Sequence, residues 1–585
     1  MTRRGAALRR RSRPALRVRR HPALGIRSLS TLGALLLATA LPFRPASGQH
    51  PPVTGFYAEG DWLTLADFRH VTALAAGDQD AYVGTTAGVG VLSGFGGGWS
   101  RTVTAGDGLP SPVVTALAFD AAGGRLWIGT AQGVAVYDPF RGEVVQDPPG
   151  LGTDAIRDLR SESSLSGSPP AGGSGHVFVR NSSGWYRVDT FSMRAELVSS
   201  GEVPPAEAGV DARSLPFLAG DVVRGERSGQ RESFRVTGAV ALADRSVVLG
   251  TWGAGVYVYD VARLSPEPAP FGLAGPGGGP IARDGRRLWF SSPAGALVPG
   301  TLPAASDVVD RPALARTGPD LRAWGYDYPG LEPALPSDRV YDIASSGERT
   351  LFATDAGLAL YDAVAERWIR LSVLTGGPAE VLAVEGAADG FWLGTRAGLV
   401  ALRTPADTTG TADSLKPAGR WLEGRTVTAL ASDGRELYAA TDLGLYRLAP
   451  RAPGSVEWTL TQMETVGRTI RDVALAPDAV VAATDRGVEI LPRGEGEPLR
   501  FLTGESQLDE LPLAVAADLS NVWIATRAGV ARWDRQRKLW NEYGLADGLP
   551  DLPVLHILVQ DGRYVWFSTP GGATRFDVGD PPRAR

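Results

Sequence analysis

The chain has 585 residues, of which 43% are apolar and 21% are charged, a composition typical of a large globular protein with ample material for a core. Its net charge of −5 hides an asymmetry, because the first 48 residues hold eleven arginines and no acid, which leaves 48 basic and 64 acidic residues, or −16, in the remainder. An acidic body argues against a nucleic-acid partner, and the lack of cysteine excludes disulfides, zinc–thiolate sites and a cysteine nucleophile.

Residues 1–48 have the pattern of a secretory signal peptide. Met1–Arg27 is rich in arginine, and residues 31–43 (TLGALLLATALPF) form an apolar run shorter than a comfortable membrane span. Ala46 and Gly48 then supply the small residues that precede a cleavage site. We expect cleavage after Gly48, a periplasmic or extracellular location, and no membrane span after signal removal. An uncleaved anchor is the alternative.

Downstream of the signal, the chain repeats one motif eleven times. Clear copies are LWIGTAQGVAVYD (Leu126–Asp138) and VWIATRAGVARWD (Val522–Asp534), in which a threonine, here called the pivot, follows a β-rich run and precedes a glycine turn. The pivot positions are Thr85, Thr130, Asn181, Thr251, Ser292, Thr354, Thr395, Thr441, Thr484, Thr526 and Thr569. From Thr354 onward they are 41, 46, 43, 42 and 43 residues apart. A β-rich unit with a period in the forties is typical of propeller blades.

We therefore predict an all-β fold, a β-propeller with about eleven or twelve four-stranded blades. Two propellers are favoured over one, because single rings typically hold four to eight blades. The predicted division gives residues 49–310 about five blades and residues 311–585 about six, with a linker in residues 300–320. A flat solenoid of hairpins is the alternative.

The end of the chain predicts how the last blade is completed. The last motif ends at Asp577, which leaves too few residues for an outer strand, whereas Asp61–Phe68 (DWLTLADF) offers a tryptophan strand with no blade before it. We predict that residues 62–65 complete the last blade and so remove an open edge that would otherwise invite aggregation.

Two segments carry a family resemblance. Trp99–Asp138 and Trp540–Asp577 each run from a tryptophan strand through GLP to an apolar strand, the pivot motif and a final Asp. This order resembles the two component regulator propeller repeat. The resemblance implies an exported sensor region of the type found in hybrid histidine kinases and in exported proteins without a kinase. Because this sequence shows no kinase region, we expect the second kind. A looser similarity is to double-propeller accessory proteins of the type IX secretion machinery.

Residue types that carry chemistry are scattered in the sequence. The five histidines form no H-x-x-x-H or H-E-x-x-H pair, so a metal hydrolase has little support. The aspartates that end the third strand of their blades are interpreted as turn caps. These aspartates are Asp138, Asp260, Asp362, Asp534 and Asp577. We expect no catalytic residue, no cofactor and no metal site.

The turn that follows each pivot is the candidate binding surface. The residues of this turn are charged in later blades, and one is a tryptophan in the fourth blade. Such a set can present a binding face, although solvated turn tips are the simpler interpretation. The candidate partner-binding residues are Trp252, Asp355, Arg396, Asp442, Asp485, Arg486 and Arg527. Trp252 should be exposed, because the glycine that follows it gives its ring little local cover.

These observations predict an exported, soluble, non-catalytic propeller that acts as a binding or sensing scaffold for an envelope protein or glycan. Two other hypotheses stay open. The first is an accessory component of a secretion or surface-assembly system. The second is a propeller-fold lyase or hydrolase, which would need a cluster of His, Asp, Glu or Tyr around a ring axis.

Overall fold

A computed structural model describes residues 61–579 with gaps, the longest of which are 163–174, 302–334, 372–379 and 405–414, and residues 206–221 are covered only in part. The predicted signal peptide and the predicted linker, apart from residues 300 and 301, lie outside the described residues. The described part is built from β-strands, with one short 3₁₀-helix, η1 (Ala105–Asp107).

The first part of the chain contains strands β1 to β21. They are β1 (Trp62–Ala66), β2 (Val71–Ala76), β3 (Asp80–Thr85), β4 (Gly88–Ser93), β5 (Trp99–Val103), β6 (Val114–Asp120), β7 (Arg125–Thr130), β8 (Gly133–Asp138), β9 (Glu143–Gln146), β10 (Asp158–Ser161), β11 (His176–Arg180), β12 (Trp185–Asp189), β13 (Ala195–Val198), β14 (Val222–Arg227), β15 (Gln230–Ala241), β16 (Val247–Thr251), β17 (Val256–Asp260), β18 (Ser265–Ala269), β19 (Ile281–Asp284), β20 (Arg287–Phe290) and β21 (Val298–Thr301).

The second part is more regular. Its strands are β22 (Val340–Ser346), β23 (Arg349–Thr354), β24 (Gly357–Asp362), β25 (Arg367–Leu371), β26 (Val381–Ala387), β27 (Gly390–Thr395), β28 (Gly398–Arg403), β29 (Lys416–Trp421), β30 (Val427–Ser432), β31 (Leu437–Thr441), β32 (Gly444–Pro450), β33 (Trp458–Gln462), β34 (Ile470–Leu475), β35 (Ala479–Thr484), β36 (Gly487–Pro492), β37 (Leu499–Leu502), β38 (Ala514–Ala517), β39 (Asn521–Ala525), β40 (Val530–Asp534), β41 (Leu539–Tyr543), β42 (His556–Gln560), β43 (Tyr564–Thr569) and β44 (Gly572–Asp577).

These strands form eleven antiparallel sheets, one for each pivot, which confirms the predicted all-β propeller architecture. We number the sheets as blades in chain order. Blades 1 to 3 are β2–β5, β6–β9 and β10–β13, blade 4 is β14–β18, blade 5 is β19–β21, blades 6 to 10 are the four-strand sets from β22 to β41, and blade 11 is β42–β44 with β1. The second strands β7, β27 and β43 are mostly apolar and buried, because their blades are covered on both faces by neighbouring blades.

The first strand of the described chain completes the last blade, as predicted. Strand β1 pairs antiparallel with β44, from Trp62 opposite Phe576 to Ala66 opposite Gly572. The Trp62 side chain is only 8% exposed, and its ring centroid lies 4.6 Å from that of Phe576. The outer edge of β44 is therefore paired within the chain and is not open to other molecules.

Blade 5 packs on C-terminal blades, whereas the predicted division at residue 310 places it with the N-terminal blades. Its Phe290 ring lies 5.4 Å from that of Trp566 in blade 11, and its Trp289 ring lies 5.1 Å from that of Phe352 in blade 6. The inner strands contact in the order β19, β22, β26, β30, β34, β38 and β42, and β42 contacts β19 again. Blade 5 thus sits with the six C-terminal blades, and a boundary before it fits the packing better than one after it. The long interval between Ser292 and Thr354 had suggested the later boundary.

The remaining inner strands contact in the order β15, β2, β6 and β10. Apolar clusters fill the spaces between these blades: Val114, Leu117 and Ile128 pack blade 2 on blade 1, and Val71 and Val248 pack blade 1 on blade 4. The four N-terminal blades thus pack in succession, in the order blade 4, blade 1, blade 2 and blade 3.

Candidate functional site

The pivot threonine closes its turn with the same kind of hydrogen bond in nine blades, and the acceptor stands three residues further on in eight of them and four residues further on after Thr251. In blade 7, the Thr395 hydroxyl donates a hydrogen bond of 2.8 Å to the Gly398 carbonyl and accepts one of 3.0 Å from the Ala397 N–H. Equivalent hydroxyl-to-carbonyl bonds are made by Thr85, Thr130, Thr251, Thr354, Thr441, Thr484, Thr526 and Thr569. These buried hydroxyl groups bond to the backbone of the turn and so hold it in one conformation.

Two details of the frame explain the motif. Gly398 has a φ of +135°, and a Cβ there would lie 2.7 Å from the Trp421 carbonyl oxygen, so the position requires glycine. In the degenerate third copy, Asn181 replaces the hydroxyl and accepts the Ser183 N–H at 2.9 Å. The weak pivot at Ser292 lies outside the described residues.

The turn after each pivot lies beside the start of the inner strand of its own blade. The Asp355 N–H donates to the Arg339 carbonyl at 3.2 Å, and the Asp485 N–H donates to the Thr469 carbonyl at 3.0 Å. Since Arg339 and Thr469 directly precede β22 and β34, these turns and the loops that lead into the inner strands share one face of the blades. We call it the turn face. The turns between the third and fourth strands lie on the opposite face.

Four of the predicted charged residues are exposed on the turn face. They are Asp355 in blade 6, Arg396 in blade 7, Arg486 in blade 9 and Arg527 in blade 10. Asp355, Arg396 and Arg527 each follow their pivot directly, whereas Arg486 is the second residue of its turn. All four lie in turns that follow a pivot, where the sequence spacing predicts them.

Asp442 and Asp485 are less available than the sequence suggests, because both are half-buried and cap the backbone. Asp442 accepts the Thr426 N–H at 3.2 Å, and Asp485 accepts the Arg468 N–H at 3.0 Å. Each donor comes from the loop before the inner strand, which is a tertiary contact that local spacing does not reveal. Arg486, next to Asp485, is the more accessible charge in blade 9.

Arg396 belongs to a polar cluster that joins blades 6 and 7. Its Nε donates to Glu380, which also accepts the Tyr341 hydroxyl, and the Arg339 guanidinium lies 5.4 Å from the Tyr341 ring centroid. The hydrogen bond from Arg396, followed by that from Tyr341, lowers the pKa of Glu380. Glu380 therefore stays ionised and fixes the direction of the arginine.

Trp252 lies on the turn face of blade 4 and is 50% exposed. One edge is covered by His70, whose ring centroid is 5.0 Å away in a T-shaped arrangement, and the two residues form an antiparallel bridge. The adjacent Arg69 is fixed by Asp67, with Nε 2.9 Å from Oδ1. Residues 67–70 connect β1 of blade 11 to β2 of blade 1, so Trp252 is anchored on this connection and belongs to a different group of blades from the four charged residues.

Three carboxylates on inner strands, those of Asp342, Asp472 and Glu385, were not among the candidates identified from the sequence. Asp342 accepts the N–H groups of Val384 in the neighbouring blade and of its own neighbour Ile343, both at 2.8 Å. Asp472 makes the same two bonds, at 2.8 Å, to Val515 and Val473. Each aspartate thus joins two inner strands and supplies an acceptor to N–H groups that have no partner strand toward the axis.

The pKa values of these acids are raised. Burial raises the pKa of Asp342 to about 7 and that of Asp472 to about 6, and burial together with the charge of Asp342 raises the pKa of Glu385 to about 8. Burial also lowers the pKa of His556 to about 4. These side chains keep some solvent-accessible surface although protein surrounds them, as expected for groups next to a propeller axis.

Four of the five aspartates that end third strands are turn caps, as interpreted from the sequence, and the side chain of Asp260 lies outside the described part of the chain. Asp138 Oδ1 accepts the N–H groups of Phe140 and Arg141 at 3.0 Å. Asp362, Asp534 and Asp577 make the same kind of bond. Their carboxylates are therefore occupied by the backbone.

Among the described residues, no group of three or more His, Asp or Glu side chains is placed to hold a metal ion. Across the same residues, no helix combines the length and apolar character needed to cross a membrane.

The fold and the repeated pivot turn define a β-propeller protein. The family model for the two component regulator propeller matches residues 108–132, so the chain carries this repeat. No curated protein sequence matches the chain.

Solved structures similar to this chain include the extracellular domain of a protein described as a hybrid two component system from B. thetaiotaomicron. Identity is 14% over 86% of this chain and 61% of that one, with a TM-score of 0.41, so the chain spans less than two thirds of that neighbour. Another is PorZ, a surface component of the type-IX secretion system of Porphyromonas gingivalis, with 12% identity over 88% of this chain and 87% of that one and a TM-score of 0.38.

Proposed function

We propose that this protein is an exported β-propeller that binds a partner protein or glycan through its turn face and catalyses no reaction. The observation that supports this most is the repeated charged slot. Blades 6, 7, 9 and 10 each present an exposed charged side chain from an equivalent turn, and a buried Thr–Gly frame supports each turn. A frame that is ordered before binding reduces the entropy lost on association.

The exposed arginines of these turns are well suited to bind a protein or a glycan. Arg396, Arg486 and Arg527 carry planar guanidinium groups that can bind carboxylates or sugar hydroxyls with two hydrogen bonds each. Arginine is also enriched among the residues that dominate binding energy. Because Arg396 is already oriented by Glu380, we expect Arg486 and Arg527 to be freer to contact a partner.

Trp252 provides a second anchor on the turn face. Half of its ring is exposed while His70 supports one edge, so the ring presents a flat apolar surface at little further entropic cost. Tryptophan is the residue most enriched among binding hot spots. A flat ring of this kind can stack on a sugar or fill a pocket of a protein.

An enzymatic function is less well supported. Asp342 and Asp472 are the carboxylates closest to the type of cluster that a lyase or hydrolase needs, but each gives both carboxylate oxygens to backbone N–H groups. Their role as joints between blades accounts for their position. An accessory role in secretion or surface assembly is the second candidate, and it predicts stable co-purification with envelope components.

The test is capture by the immobilised protein, residues 49–585, from a native envelope fraction and on a glycan array, with bound proteins identified by mass spectrometry. We expect a ligand that binds the wild-type protein and is lost with Arg486→Ala/Arg527→Ala. The control Arg141→Ala changes an exposed arginine on the opposite face and should retain it. The proposal is wrong if the ligand binds both variants equally or if no ligand binds and a small substrate is turned over.

A further inference from the structure

Two phenylalanines project from the opposite face of blades 2 and 3. Phe140 is 98% exposed and Phe191 is 89% exposed. Each stands two residues after the aspartate that ends the third strand, in DPFRG and DTFSM. Single exposed apolar residues are common on protein surfaces, but the same slot in adjacent blades places two aromatic tips on one side of the molecule.

The turns that carry these tips already satisfy their own N–H groups. In blade 2, Asp138 Oδ1 accepts the N–H groups of Phe140 and Arg141, and the Asp138 carbonyl accepts the Gly142 N–H at 2.7 Å. In blade 3, Asp189 Oδ1 accepts the Ser192 N–H at 2.7 Å. A tip built in this way can leave water without exposing unpaired backbone donors to an apolar medium.

The charges beside the tips are paired with one another. Arg141 lies 3.8 Å from Asp138 and 3.7 Å from Glu143, and Arg187 lies 3.1 Å from Glu196. The two arginines face three acids, so these pairs leave no excess of positive charge that would attract an acidic surface, such as an anionic membrane or an acidic peptide. This surface therefore presents apolar tips on turns that carry no excess of positive charge.

We propose that the opposite face of blades 2 and 3 docks reversibly on a zwitterionic lipid surface, into which Phe140 and Phe191 insert. A flat lipid surface needs only tips that point to the same side, whereas a protein partner would need two pockets at matching positions. The surroundings of the tips also fit lipid better, since each phenylalanine stands on a polar turn and not within a continuous apolar patch.

The test is flotation of the mature protein with phosphatidylcholine vesicles at low and high salt. Inserting part of a phenylalanine side chain should change the partition coefficient by about tenfold, so Phe140→Ser/Phe191→Ser should lower it by about a hundredfold. The control Leu443→Ser/Val466→Ser removes two exposed apolar side chains from the turn face and should bind as the wild type does. Binding should change little with salt, because no net charge drives it.

Three results would overturn the proposal. The wild-type protein could fail to float at millimolar lipid, or the control pair could lose as much binding as the phenylalanine pair. Sedimentation could instead show self-association that Phe140→Ser/Phe191→Ser abolishes without vesicle binding, which would make this face a contact between copies. Because the tips lie opposite the turn face, each outcome is independent of partner binding there.

Discussion

Trp62→Ala tests whether the N-terminal strand holds the last blade closed. The centroid of the Trp62 ring lies 4.6 Å from that of Phe576 and 6.1 Å from that of Tyr543, and the side chain is almost fully buried. Truncating a large buried aromatic side chain typically costs 3–5 kcal/mol, so we expect the free energy of unfolding to fall by about 4 kcal/mol. The cost should be at the high end of that range, because a Cβ at Gly548 would lie 2.7 Å from the Trp62 ring and the site is tightly filled.

The assay is equilibrium unfolding in urea, followed by tryptophan fluorescence and circular dichroism. Trp540→Ala is a matched control, since Trp540 also stands on an outer strand and packs on Phe501 at 4.8 Å but is only half-buried and closes no blade. It should cost about 1–2 kcal/mol. A loss below about 1 kcal/mol for Trp62→Ala would refute the closure, because a paired, buried strand cannot lose this side chain so cheaply.

A disulfide provides an independent check of the same pairing. The Oγ1 atoms of Thr64 and Thr574 lie 3.1 Å apart across the β1–β44 ladder, and the chain has no native cysteine to compete. Thr64→Cys/Thr574→Cys should oxidise readily, since directly opposed residues of antiparallel strands come within disulfide range. The cross-link should also restore part of the stability lost by Trp62→Ala.

Three further predictions concern other parts of the molecule. The pKa values of Asp342, Asp472 and Glu385, about 7, 6 and 8, lie above the values near 4 of an unfolded chain, so the folded protein binds more protons and these groups should lower the unfolding free energy as pH rises from about 4 to 8. Urea midpoints at pH 5 and pH 8 should differ less in Asp342→Asn/Asp472→Asn, and an unchanged difference would contradict this. Thr395→Val removes two hydrogen bonds and should cost about 1–3 kcal/mol in thermal or urea unfolding, whereas a neutral result would show that the pivot frame is dispensable. Intact-mass analysis of exported protein should give Gln49 as the first residue, and recovery of the full-length form in the cytosol would contradict export.

The repeat could be predicted from the sequence because its requirements are local. A buried hydroxyl and a glycine with positive φ stand three residues apart in eight of the nine threonine copies, as in Thr395 and Gly398, and this spacing is visible in the sequence. The closure by β1 could also be inferred, since Trp62 begins a strand that has no blade before it.

Features that depend on contacts between blades could not be predicted. The predicted division placed blade 5 with blades 1 to 4, whereas Trp289 and Phe290 pack on blades 6 and 11, and this packing leaves no mark on the period of the sequence. Asp342 and Asp472 replace the small residues, such as Ala116, that follow the inner-strand bulge in other blades, and their partners lie about one repeat further along the chain. This substitution was the only available signal, and its meaning depends on knowing which strands are adjacent.

The central claim, that the turn face binds a partner, is tested most directly by the dissociation constant of the captured ligand for the wild-type protein and for Trp252→Ala. Removing a tryptophan that anchors the partner should cost at least about 2 kcal/mol, or roughly thirtyfold in affinity. Because Trp252 is half exposed and rests on His70, we expect the unfolding transition to change little. An affinity within twofold of the wild type, or a loss that appears only because the protein unfolds, would contradict the account.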